Sequence, residues 1–172
     1  MKALIVYDTK YGMTEQVANA IMKGMKESGV SEIALKKVGD ANEADFKGSD
    51  AWIFGSPVHI SGATGDAKKA LKTAIETGAS GKKGTTFDTR FVTATGKGAA
   101  EKMMEKLEEA GVGKVAEPQW FGVLKTKGPL AEGEETKAVS SGRRSPRRSG
   151  AELAISFYPF PYNIGSEDRL RR

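Results

Sequence analysis

The stretch LIVYDTKYGMTEQVANAI, residues 4–21, decides how this chain reads. It continues an unbroken apolar run from Ala3 to Tyr7, stops at Asp8, crosses a short turn bearing hydroxyls and a glycine, and resumes with Val17, Ile21 and Met25. A continuous apolar run fits a strand buried on both faces, as in a parallel sheet covered by helices. The four-residue spacing after it fits an amphipathic helix packed back onto that sheet. The turn between them, Thr9, Lys10, Tyr11, Gly12, Met13 and Thr14, therefore leads into a helix N-terminus. Free N–H groups and the positive end of the helix dipole attract an anion there. Thr9 and Thr14 add hydroxyl donors, and Gly12 lets the backbone approach a ligand. The plainer reading of the same residues is a strand, turn and helix capped by Thr14, with no ligand.

Composition narrows the chemistry. The 172 residues suffice for one α/β domain and not for two of ordinary size. The absence of cysteine excludes disulfides, thiol catalysis and cysteine-held iron–sulfur clusters, so redox chemistry would need a bound cofactor. The first apolar run is five residues long and feeds straight into the turn, so neither a signal peptide nor a membrane span is expected. The expected location is cytoplasmic. Of the net charge of +5, +4 lies from residue 141 onward, where seven Arg face Glu152, Glu167 and Asp168. Every Lys lies at or before Lys137, whereas Arg90 is the only Arg before Arg143.

Along the chain, Ile33, Leu35 and Val38 alternate as an edge strand, residues 41–48 form a short polar helix or turn, and DAWIFGS, residues 50–56, is a second buried strand. Ala67, Ala70, Leu71, Ala74 and Ile75 mark one face of a helix starting at Gly65 or Asp66. Residues 83–87 read as a strand and DTRFVTATGK, residues 88–97, as a loop, although Phe91 and Val92 could prolong the strand. A helix over Ala99, Ala100, Met103, Met104, Leu107 and Ala110 follows, then a last edge strand over residues 115–123, broken by Pro118. The alternation predicts a doubly wound parallel sheet with its ligand at the carboxyl ends of the strands.

The turn is neither of the two commoner nucleotide loops, G-x-x-x-x-G-K-[ST] or G-x-G-x-x-G. It resembles the phosphate loop of the flavodoxin family: an apolar strand, [ST]-x-x-G-x-T, then a helix with Ala and an aliphatic at fixed offsets. Thr9, Gly12, Thr14, Ala18 and Ile21 stand in those places, while Tyr11 stands where electron-transfer flavodoxins usually carry a second hydroxyl residue. GSPVHISG, residues 55–62, looks like the family's second flavin loop, and FDTR, residues 87–90, like its third. The likeness runs from residue 2 to about 138.

This resemblance implies a five-stranded sheet of order 2-1-3-4-5, FMN as cofactor, and electron transfer between a reductase and an acceptor protein. It implies contacts from Thr9, Lys10, Tyr11, Gly12, Met13 and Thr14 in the first loop. The second loop would supply Ser56, Pro57, Val58, His59, Ile60 and Gly62, and the third Asp88, Thr89, Arg90 and Phe91. Gly62, or secondarily Gly65, is the candidate for a carbonyl that turns toward the reduced flavin N5, and Phe91 or Ile60 for stacking. Arg90 either pairs with the flavin's pyrimidine oxygens or solvates a loop. His59 either edges the ring or is an exposed loop histidine. It is the only histidine, so a metal site is not expected.

Two rival functions stay open: a flavin-dependent NAD(P)H or quinone oxidoreductase, and a flavin-free interaction domain. Neither a specific nucleic acid nor a membrane is an expected partner, and the oligomeric state is left open. Residues 1–138 are assigned to the domain and 139–172 to an Arg-rich, disordered tail. Here the last helix of the family is expected to be truncated or replaced, because SSGRRSPRRSG cannot make a buried face. The tail is read either as a genuine extension or as a stretch from another reading frame.

Overall fold

The computed structural model describes residues 1–143. Its central strand is β1 (Lys2–Tyr7), flanked by β2 (Glu32–Lys37) and β3 (Ala51–Pro57), with β4 (Lys83–Phe91) next to β3. The far edge is made in two pieces, β5 (Gly113–Lys114) and β6 (Gln119–Val123), both paired with β4. All strand pairs are parallel, and the order is the expected 2-1-3-4-5, with Pro118 at the break in the edge strand. An edge tolerates that interruption because proline removes only one ladder donor.

The helices are α1 (Met13–Glu27), α2 (Glu43–Lys47), α3 (Gly65–Glu76), α4 (Ala99–Glu109) and α5 (Glu134–Gly142). Alternation along β1 sends Leu4 and Val6 to one face, where they meet Phe46, Trp52, Phe54 and the inner faces of α3 and α4. Ala3, Ile5 and Tyr7 point to the other, against Val17, Ile21 and Met25 of α1, Phe87, Phe121 and Ala138 of α5. Each face thus has its own apolar core, so the sheet is covered twice. Among the described residues no helix is long and apolar enough to cross a membrane.

Two elements differ from the sequence reading. Strand β4 runs on to Phe91, so Asp88–Phe91 are sheet residues, with Asp88 paired to Ser56 and to Trp120 in register. Polar side chains made this stretch resemble a loop; the structure buries them in mutual bonds. The last helix is short, as expected, but Ser140, Ser141 and Gly142 belong to it, and Ser141 and Gly142 are buried with Ala138. These small residues do make a buried face, because what they pack against is backbone. The rest of the Arg-rich segment, 144–172, whose expected disorder and origin were raised above, lies outside the described residues.

Gly24 of α1 and Gly142 of α5 meet where the two helices cross. A Cβ built on Gly24 would fall 1.9 Å from the Val139 carbonyl oxygen, and one on Gly142 would fall 2.1 Å from that of Ile21. Neither obstacle is a side chain that can swing away, so Gly24→Ala or Gly142→Ala must push the helices apart. Overpacking of this kind costs about 1–3 kcal/mol. Urea denaturation of the full chain should show that loss for either variant, and less than the sum for both together, since the residues share one contact. Gly65→Ala has open space around the new methyl and should cost nothing.

Candidate functional site

Helix α1 starts without a side-chain cap. Its N-cap is Gly12, at φ 90°, a left-handed conformation that costs any other L-residue about 1–2 kcal/mol. The Thr9 hydroxyl accepts a hydrogen bond from the Gly12 N–H (2.9 Å), which curls the loop and leaves its own O–H free to donate. The N–H groups of Met13, Thr14 and Glu15 have no carbonyl inside the helix to receive them. Among the described residues nothing lies within 4 Å of where a Gly12 side chain would project. The donor set and the open space above it fit a phosphate.

This helix end opens into a cleft of about 250 Å³ at the carboxyl ends of β1, β3, β4 and β6. Thr9, Lys10, Tyr11, Met13 and Thr14 line one side; Pro57, Val58, His59, Thr89, Arg90 and Phe91 line the others. Eleven of the expected site residues therefore share one cavity. At its floor the Thr14 and Thr89 hydroxyls bond to each other at 2.8 Å, tying the first loop to β4. Asp8 accepts from the Thr9 N–H (2.8 Å) and from the Thr64 hydroxyl (2.5 Å), which ties the first loop to the start of α3.

The other five expected residues stand elsewhere. Gly12 shapes the loop without lining the cleft. Ser56 is fully buried behind it, accepting from the Thr64 N–H at 3.1 Å. Asp88 is also buried and is bonded by Arg90. Ile60 is 88% exposed at the rim, at the tip of a tight turn closed by two bonds between the His59 and Gly62 backbones. Because the Gly62 carbonyl accepts from His59 N–H (2.7 Å), it is engaged in that closure. Strain lies instead at Ile60 and Ser61, whose φ values of 47° and 62° are uncommon for non-glycine residues and least suited to a β-branched one.

Arg90 lines the cleft, and its guanidinium is bonded within the protein. Its side chain lies in the protein, with Nε and Nη2 donating to the two Asp88 oxygens (2.7 and 2.5 Å), Nη2 also to Glu101 (2.7 Å), and Nη1 to the Gly96 carbonyl (3.1 Å). The guanidinium also faces the Trp120 ring at 5.5 Å. Burial pushes the Asp88 carboxyl above its ordinary range against the pull of Arg90 and the Ala100 N–H. Burial also opposes the charge on Glu101, but its own backbone, Arg90 and the Gly98 N–H outweigh that, and its carboxyl lies below the usual range. For Arg90, burial is outweighed by the two carboxylates, which hold the guanidinium charged. The lysine of the same loop, Lys97, is paired with Glu105.

Sequence reasoning missed Thr64, Ala94, Val123, Lys125 and Thr126, which complete the lining. Thr64 carried a signal, a hydroxyl residue just before a helix, and it does cap α3 by accepting from the Ala67 N–H. The other four follow from topology: Ala94 lies in the loop after β4, and β6 ends beside β4, so Val123 and the loop after it reach the same cleft.

Comparison with known proteins gives the family and the fold. Residues 4–127 match the model of the flavodoxin domain. A flavodoxin from Clostridium saccharobutylicum is 33% identical over 89 residues, spanning 52% of this chain and 56% of the relative. A flavodoxin from the Archaea superposes with a TM-score of 0.69 at 20% identity over 83% of this chain and 94% of its own. Flavodoxin 1 of Bacillus cereus does so with 0.69 at 19% identity, over 83% and 95%. At such identities the two structures establish the fold alone, and the chain spans little more than half of the Clostridium relative.

Removing the buried cation gives a direct test of the site's frame. Arg90→Met leaves Asp88 buried without its counter-charge, a change expected to cost about 3–5 kcal/mol in a denaturation experiment. Adding Asp88→Asn should recover part of the loss, which a side chain that merely solvates a loop would not show.

Proposed function

Because the chain belongs to the flavodoxin family, we infer that it binds FMN non-covalently in this cleft and carries electrons between a reductase and an acceptor protein. The observation that carries the inference is the uncapped start of α1, opening into a cleft lined mainly by apolar and hydroxyl-bearing residues. The N–H groups of Met13, Thr14 and Glu15, with the Thr9 hydroxyl, hold the phosphate, and the dipole of α1 favours its charge. No lysine is required for that, although Lys10 and Lys125 lie on the cleft wall.

Pro57, Val58, Phe91, Ala94 and Val123 offer apolar surface to a flat ring and keep water from it. Phe91, half exposed, is placed to cover one side. His59 lines the cleft and offers its imidazole as a hydrogen-bonding group at the ring edge. When bound, FMN supplies the redox chemistry, and the protein supplies binding, orientation and electrostatics.

The absorption spectrum of protein mixed with FMN tests this reading. A bound-flavin spectrum supports it; protein that stays colourless favours the flavin-free interaction domain, and turnover of a quinone with NAD(P)H alone would mark an oxidoreductase. Thr9→Ala should weaken FMN by about 1.5–3 kcal/mol, the worth of a hydrogen bond to a charged group, and leave riboflavin nearly unaffected. Equal losses for the two flavins in a fluorescence titration would place the phosphate elsewhere.

A further inference from the structure

The mouth of the cleft carries two features that extend beyond what cofactor binding uses. Among the described residues six large apolar side chains are exposed, and all but Met1 stand around this mouth: Tyr11, Ile60, Phe91, Val92 and Leu124. Between them lie lysines without an ion-pair partner among the described residues. Lys10 and Lys127 sit 5.7 and 5.9 Å from the Tyr11 ring centroid, and Lys125 lines the cleft. On the opposite side, Lys102 donates to the Ser61 carbonyl (2.5 Å), and the Lys68 ammonium lies 4.0 Å from where a Gly62 side chain would begin. Cations therefore flank both the phosphate loop and the strained turn.

The nearby carboxylates cancel them only in part. Asp8 keeps its charge among the neutral donors of Thr9 and Thr64, Asp88 and Glu101 share the one guanidinium of Arg90, and Glu105 is paired with Lys97. Asp66, on the first turn of α3, adds a further negative charge beside the five lysines. Apolar residues set among an excess of charges of one sign describe a surface that meets a partner of the opposite sign.

We propose that the mouth of the cleft is a docking face for an acidic redox protein, whose carboxylates meet Lys10, Lys68, Lys102, Lys125 and Lys127 around the apolar centre. This rests on the FMN reading above, and its test separates the two. FMN is added to the full chain and its spectrum recorded; the flavin is then reduced with dithionite, the excess removed, and the protein mixed with ferric cytochrome c. One electron passes from the flavin to each haem iron, ferric to ferrous. The cytochrome is used in two forms with the same haem: native and basic, or lysine-succinylated and acidic.

At low ionic strength the acidic form should be reduced about 10-fold faster or more, the size of ordinary electrostatic steering. Its rate should fall as salt is added, while that of the native form rises. Lys68→Glu with Lys127→Glu, neither of which lines the cleft, should reduce the gap between the two forms. Faster reduction of the native cytochrome, or rates for both forms that ignore salt, would overturn the proposal. Protein that stays colourless with FMN would overturn the FMN reading and this inference with it, and is seen before any cytochrome is added.

Discussion

A parallel strand without a polar face has to be covered on both sides, and β1 imposes that requirement on the whole molecule. All of Ala3–Tyr7 is buried, with alternate residues in different cores. One layer is straightforward, because α3 and α4 bring aliphatic residues to Leu4, Val6, Trp52 and Phe54. The other depends on α1 and on a nine-residue α5 that has little apolar surface of its own. Glycine resolves this: with Gly24 and Gly142 at the crossing, the helices approach until backbone touches backbone, and Ala138 reaches the core.

The same frame explains where the site lies. Each strand of the sheet points its carboxyl end toward one side, so the loops after β1, β3, β4 and β6 converge whatever their sequences. What sequence adds is the fastening. Thr14 with Thr89, Asp8 with Thr64, and the Val58 N–H with the Thr89 carbonyl join segments that are far apart in the chain. The Asp88–Arg90–Glu101 group fastens β4 to the start of α4, at the cost of burying charge that apolar packing would not incur. In return Arg90 grips the Gly96 carbonyl and fixes the loop that brings Ala94 to the cleft.

Most of this was legible in residue order because the signals were periodic or local. The apolar run of β1, the four-residue stripe of α1, the glycine at 12 and the alternation of elements each follow from geometry that one segment determines. The failures share a cause: they depend on residues distant in the chain. Asp88 and Arg90 lie two apart and so share a face of β4, but only Glu101, Trp120 and Gly96 make that polar face an interior one. Gly142 reads as a breaker until Gly24, more than a hundred residues earlier, is seen to receive it. Lys125 and Thr126 are ordinary loop residues until β6 is placed beside β4.

The crossing of α1 and α5 also governs the order in which the protein can be completed. Translation delivers α1 before α5, yet among the described residues the surface that Gly24 presents is matched by residues 134–142. While those residues are still inside the ribosome, β1 has one layer in place and the other half open, with Ile21, Met25 and Phe121 short of their cover. A nine-residue helix is too short to hold its shape alone, so α5 forms as it docks. The nascent chain therefore stays an unfinished sandwich, with apolar surface accessible to chaperones, until this late segment arrives.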